Sequence, residues 1–205
     1  MRIVSPEVII ESSIYAPEIY SQIERAGRTA YKSEGKVAPG SSVTFIKKLT
    51  ASGHESVLEH VSLTVRFICD RGVSHELVRH RIAAYTQEST RYVNYQKKGM
   101  EVIRPCFWKE GSSEWSVWEN AMEDAEAKYH HLLSLGASPQ QARSVLPNSL
   151  KTEIVATMNI RQWRHVLRQR TAKAAHPQMR EIMGMLLQEL QVRLPVLFED
   201  IEAGA

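Results

Sequence analysis

The chain has 205 residues, a formal charge of +3, 43% hydrophobic and 24% charged residues, and two cysteines. This is the balance of one globular domain large enough to bury a core, and it excludes a low-complexity or disulfide-framework protein. No apolar run approaches the length of a membrane span, and Glu7 and Glu11 interrupt any signal-peptide core, so a soluble cytoplasmic protein with no membrane partner is expected.

In chain order, residues 2–11 predict a short strand carrying Pro6 at a sheet edge. Pro17 lies near the start of a helix with Ile19, Ile23 and Ala26 on its apolar side. Residues 32–42 form a polar loop, followed by a helix over 43–51 that Gly53 ends. Val61, Leu63, Val65 and Phe67 alternate with Ser62, Thr64 and Arg66, the pattern of a half-buried strand. Gly72 is expected to break it, and Ser74 to cap a helix carrying Leu77, Val78 and Ile82. Residues 92–95 and 102–103 read as extended. Ser112 or Ser113 caps a long helix to about Leu135, stopped by Gly136. Ser138 and Pro139 start another that ends before Pro147. Residues 153–158 are either a short strand or the lead-in to a helix over 160–171, whose apolar face holds Trp163, Val166 and Leu167. Pro177 opens a last helix to about Val192. No repeat or linker interrupts the chain. The expectation is a single mixed α/β (α+β) domain over 1–205, with strands interleaved among helices.

The chemistry is narrowed first by what fails. His54 and His60 flank two glutamates, but a zinc-binding HExxH needs its second His at position 58, which is Leu. His75 and His80 are five apart and His130 and His131 adjacent, so no metal site is expected. Cys106 follows an apolar extended stretch and reads as a small core residue. Neither GxGxxG nor a P-loop is present, so a dinucleotide would be held by side chains and helix ends. Arg161, Arg164, His165 and Arg168 can share one helix face, which repels itself unless an anion binds it. A solvated basic surface helix is the competing reading.

The stretch Arg79-His80-Arg81-Ile82-Ala83-Ala84-Tyr85-Thr86-Gln87-Glu88-Ser89-Thr90-Arg91-Tyr92 carries the most information. It is expected to begin on a helix and run into a polar loop. Guanidinium groups at both ends suit a phosphorylated ligand, because each can donate two parallel hydrogen bonds to phosphate oxygens. Gln87, Glu88 and Ser89 add partners for a base and a sugar. Non-catalytic nucleic-acid binding by the clustered Arg, His and Tyr residues is the alternative from another class.

RHR, seven residues and then Ser resembles the signature of the flavin-dependent thymidylate synthases. His54 with Glu59-His60 resembles an earlier part of that family's first region. Ala142-Arg143-Ser144-Val145-Leu146-Pro147, Asn159-x-Arg161 and Arg170 resemble its second. Ala84, His165 and the run Ala174-Ala175-His176-Pro177-Gln178 depart from the commonest forms. The resemblance implies a homotetramer with active sites between subunits, converting dUMP to dTMP. FAD is the redox cofactor, NADPH the reductant and methylene-tetrahydrofolate the carbon donor. By the same resemblance Ser56, Arg79, His80, Arg81, Gln87, Asn159, Arg161 and His165 would hold FAD. Glu76, Arg79, Gln87, Glu88, Ser89, Arg91, Arg143 and Arg170 would hold dUMP. Arg170, Ser89 and His54 are the candidate catalytic residues, with Arg170 stabilising charge on the uracil ring. A relative that adds another one-carbon group to a pyrimidine nucleotide would use the same pocket.

Overall fold

A computed structural model describes residues 1–95 and 99–204. Its elements are strands β1 (Arg2–Val4), β2 (Glu7–Ile10), β3 (Ser62–Asp70), β4 (Ala84–Gln87), β5 (Glu101–Ile103) and β6 (Lys151–Asn159). The α-helices are α1 (Ala16–Thr29), α2 (Ser41–Ala51), α3 (Arg71–Leu77), α4 (Ser113–Ser134), α5 (Pro139–Ala142), α6 (Ile160–Arg170), α7 (Pro177–Arg193) and α8 (Pro195–Phe198). Single 3-10 turns cover Glu34–Lys36, Glu55–His60 and Arg143–Val145. The fold is mixed α and β, as expected. Strands β1 and β5 pair in parallel, and a second sheet has the order β2-β3-β6-β4.

Contacts group the chain into two compact units. The first comprises 1–8, 66–80 and 85–155, and the second 9–65, 81–84 and 156–205. In the first, α4 is capped by Ser112, whose Oγ accepts from Trp115 N at 3.2 Å. Its Trp115, Trp118, Met122 and Tyr129 pack into one cluster with Tyr95, Met100, Val102 and Leu150. In the second, α6 packs on the Glu55–His60 turn and on α7, while α1 packs on α2 and on the same turn. Trp163 is fully buried there, its indole N–H donating to Leu63 O at 3.0 Å. An indole in a core needs such a partner, because an unmet donor would forfeit part of the gain from burying the ring.

The alternation read at 61–67 continues to Asp70, with Leu63, Val65, Phe67 and Cys69 buried. The ambiguous 153–158 segment is strand: Thr152, Ile154, Ala156 and Met158 are buried in turn along β6. Helix α6 then starts at once because Asn159 Oδ1 accepts from Gln162 N at 2.8 Å.

Several expectations are corrected. Residues 2–11 are two strands in different sheets, parted at Pro6, which has no N–H to give a ladder. Gly72 does not end a strand, and Ser74 does not cap the following helix. Asp70 does, its Oδ1 accepting from Val73 N at 2.8 Å, so α3 begins at Arg71 and is over by Leu77. The Arg-His-Arg triplet therefore lies beyond the helix, and Ala84 to Gln87 is strand instead of loop. One hydroxyl fixes this turn: Tyr85 donates to the carbonyls of Leu77 at 2.8 Å and His80 at 2.9 Å. Ser89 O accepts from both Tyr92 N and Val93 N, so 92–95 opens as a turn instead of extended chain. Cys106 is exposed, since its stretch leaves β5 before reaching it, while Cys69 is buried and burial pushes its thiol pKa up.

Replacing Asp70 by Ala removes the α3 cap and should cost about 1 kcal/mol, with Asp70→Asn costing less because an amide oxygen also caps. Urea unfolding of the three proteins measures this. An unchanged midpoint for Asp70→Ala would show that the helix does not depend on that carboxylate.

Candidate functional site

The second unit holds a cavity of about 530 Å³, lined by Asn159, Arg161, His165 and Arg168 on α6, Glu55 and Glu59 on the 3-10 turn, and Ile82. The basic face read from sequence is here, but it does not repel itself. Arg161 Nη1 meets Glu59 Oε1 at 2.5 Å. Arg164 is not on a solvated or ligand-facing surface at all. It is 1% exposed, with Nε on Glu55 Oε1 at 3.2 Å, Nη1 and Nη2 forked onto Asp200 at 2.7 Å each, and Nη1 also donating to Leu197 O. Arg168 reaches the same two carboxylates, Glu55 at 3.5 Å and Asp200 at 3.2 Å. The Arg164 guanidinium holds the Asp200 carboxyl below its ordinary range.

The first unit holds another cavity, of about 460 Å³. Lys151 sits among its carboxylates: Glu153 at 2.6 Å, and Glu88 and Glu101 at 3.8 Å. Arg66 meets Glu153 from the other side at 3.4 Å. Gln87 lines the same space while its amide donates to Ser74 Oγ at 2.8 Å and Thr152 Oγ1 at 3.2 Å, which fixes its orientation. Tyr95 donates to Glu88 Oε1 at 3.5 Å, and burial, with the Glu88 charge behind it, pushes the phenol pKa up.

The structure thus sorts the residues singled out by sequence. Asn159, Arg161 and His165 come together in the second unit's cavity. Exposed His54 and Ser56 lie on the turn that supplies Glu55 and Glu59, and exposed Arg81 belongs to the same unit. Arg170 is the last residue of α6, about 16.5 Å along the helix axis from Asn159 at 1.5 Å per residue. In the first unit, Glu76 is on α3, exposed Arg79 and buried His80 follow it, and Gln87 and Glu88 line the cavity. Ser89 Oγ accepts from Arg91 N at 3.3 Å and closes a turn. Arg143, 53 residues from Thr90, donates to its hydroxyl at 3.3 Å, bringing Arg143 to the Ser89–Arg91 turn.

Sequence reasoning passed over Arg71, Lys151, Glu153 and Asp200. Lys151-x-Glu153 could have been noticed, since i and i+2 share a strand face. Arg71 Nη1 is buried with no hydrogen-bond partner among the described residues, which only coordinates reveal. Nothing local marks Asp200, whose partners are 32 and 36 residues away. Among the described residues no group of three or more His, Cys, Asp or Glu could hold a metal ion, and no helix is long and apolar enough to cross a membrane.

By fold the chain is a mixed α/β protein similar to the crystal structure of a UMP/dUMP methylase, PolB from Streptomyces cacaoi, bound with 5-Br dUMP. The TM-score is 0.82 at 25% identity, over 97% of this chain and 96% of that one. The chain belongs to the thymidylate synthase complementing protein family, which matches residues 14–196. Among its relatives are flavin-dependent thymidylate synthases of Geobacter sulfurreducens, 32% identical over 93% of this chain and 85% of that one, and of Corynebacterium glutamicum, 31% identical over 97% and 86%.

The ion pairs of the first cavity carry a pH dependence. The Lys151 ammonium holds the Glu153 carboxyl below its ordinary value of 4.5. A carboxyl depressed in the folded state stabilises it above that value, and the contribution is lost as pH falls from about 4.5 through the lower folded value. Stability of the wild type should therefore fall more steeply below pH 4.5 than that of Lys151→Met. Parallel acid profiles would show that the pair contributes nothing.

Proposed function

We propose that the chain catalyses the reductive methylation of dUMP to dTMP, with FAD as redox cofactor, NADPH as reductant and methylene-tetrahydrofolate as carbon donor. Family membership supports a flavin-dependent enzyme of this class. The observation that carries the reading is the Arg143 contact with Thr90, because it unites the two signature regions at one turn. Arg91 and Arg143 would there offer two guanidinium forks to the nucleotide phosphate. Arg71, with its open buried donor, would add to the same demand for an anion in the first unit.

The donor set of the second unit's cavity fits a flavin dinucleotide. Arg161, Arg168 and His165 suit a pyrophosphate, and the Asn159 amide keeps its NH₂ free of the capping bond that occupies Oδ1. Bound and reduced, the flavin supplies the hydride. Ser56 and Arg81 of the same unit would complete its binding, while Arg79, His80 and Gln87 are flavin contacts that the family resemblance alone implies. Glu76, Gln87, Glu88 and Ser89 would orient the pyrimidine and its sugar, Gln87 with its amide already fixed by two hydroxyls. Arg170 would stabilise negative charge on the uracil ring as hydride arrives, and its charge persists at any working pH. His54 and Ser89 would serve as the remaining catalytic contacts. We infer a homotetramer whose sites join Arg143 of one subunit to Arg79 of another.

Likeness to a methylase named for both UMP and dUMP favours a second reading, in which UMP is also accepted. Turnover of the two nucleotides side by side separates them.

Purified protein should be yellow or bind added FAD, and NADPH should bleach it anaerobically. Absence of flavin binding at micromolar concentration would falsify the reading. Arg170→Ala should bind FAD nearly normally but oxidise reduced flavin on the order of 100-fold more slowly in single turnover with dUMP and folate, with Arg170→Lys between. Near-normal oxidation in Arg170→Ala would make it a surface charge. The family resemblance implies that no enzyme thiol acts as nucleophile, so Cys106→Ala should retain turnover, and a covalent adduct between Cys106 and dUMP would overturn that. Mixing inactive Arg143→Ala and Arg79→Ala subunits should restore activity, whereas a fully active monomer by light scattering would end the shared-site idea.

A further inference from the structure

Four side chains of the second unit close a ring of ion pairs. Glu55 Oε1 meets Arg164 Nε at 3.2 Å, and Arg164 forks onto both Asp200 oxygens at 2.7 Å. Asp200 Oδ2 meets Arg168 Nη2 at 3.2 Å, and Arg168 Nη1 returns to Glu55 Oε1 at 3.5 Å. Charges alternate around the ring and cancel. Its members differ in exposure: the Arg164 side chain is 1% exposed, that of Arg168 45%. Arg164 is thus the buried anchor, and Arg168 the member that lines the cavity.

A half-exposed arginine is ordinarily a mobile side chain that must be ordered when it binds something. Arg168 is ordered beforehand. Its guanidinium donates to Asp200 Oδ2 at 3.2 Å and pairs with Glu55 at 3.5 Å, contacts that two of its five N–H groups can serve, so donors are left for a ligand. A planar guanidinium can present parallel N–H groups to phosphate oxygens. We propose that Arg168 is an anion-contacting residue of the cavity, and that the C-terminal segment, through Asp200, positions it for the pyrophosphate of a dinucleotide. The inference rests on the flavin reading, and Asp200 itself touches no ligand in it.

The test measures FAD binding by flavin fluorescence for the wild type, Arg168→Ala, Arg168→Lys, Asp200→Asn and the double variant Arg168→Ala with Asp200→Asn, with thermal unfolding recorded for each. Arg168 is about half exposed, and Asp200→Asn leaves the buried Arg164 its Glu55 and Leu197 partners and an amide oxygen in place of the carboxylate, so the variants should fold, with Asp200→Asn the less stable. Arg168→Ala should raise Kd about tenfold, the effect of one charged hydrogen-bonding partner, and flatten its salt dependence. Arg168→Lys should lie between, keeping the charge without the fork. Asp200→Asn should raise Kd several-fold alone and not at all beside Arg168→Ala, while lowering the unfolding temperature in both backgrounds. A merely structural role for Asp200 would instead raise Kd equally in both, and that result overturns the positioning claim. Unchanged Kd in Arg168→Ala overturns the contact itself while leaving the flavin reading intact. A wild type that binds no FAD overturns both.

Discussion

A buried guanidinium governs the second unit. Arg164 has almost no contact with solvent, so its charge must be met inside the protein or the fold does not form. Two segments distant in sequence from α6 meet it: the Glu55–His60 turn and the residues from Leu197 to Asp200. Removing one partner of such a group costs about 3–5 kcal/mol, because the charge left behind cannot be rehydrated. The shape of the α6 cavity therefore follows from an electrostatic requirement. The turn carrying His54 and Ser56 and the helix carrying Asn159, Arg161 and His165 are held in register by a residue that contacts no ligand in the proposed chemistry.

The same requirement changes how the basic helix is understood. Arginines spaced along one helix face look like a field awaiting an anion. Here Glu55, Glu59 and Asp200 already balance Arg161, Arg164 and Arg168. A ligand pyrophosphate would meet an ordered, nearly neutral wall of N–H donors. Affinity in such a wall comes from the placement of hydrogen bonds more than from long-range attraction. The cavity of the first unit repeats the plan with opposite emphasis, one lysine serving three glutamates.

Much of this was legible in the sequence, and the reasons are physical. The period-two alternation through Phe67 and the apolar side of α6 follow from burial, which side-chain pattern reports directly. The signature residues were found because their spacing is local. What failed depended on a single hydrogen bond. Asp70 outcompetes Ser74 as cap, and the Tyr85 hydroxyl turns the chain out of α3 before the Arg-His-Arg triplet. What was invisible depended on long-range contact: Asp200 with Arg164, Arg143 with Thr90, and the open donor on Arg71. The exposure of Cys106 belongs here too, because pattern alone cannot show where an apolar strand leaves its sheet.

Tyr85 also sets an order of failure. Its single proton is shared between two carbonyls, and burial pushes its pKa up to about 12, so it remains a donor throughout neutral and acidic solution. The ring around Arg164 depends on carboxylates, which acid neutralises. On acidification the turn bearing Arg79 to Arg81 keeps its local fastening after the carboxylate-bound wall of α6 has lost its own. Acid exposure thus loosens the wall of α6 before the RHR turn.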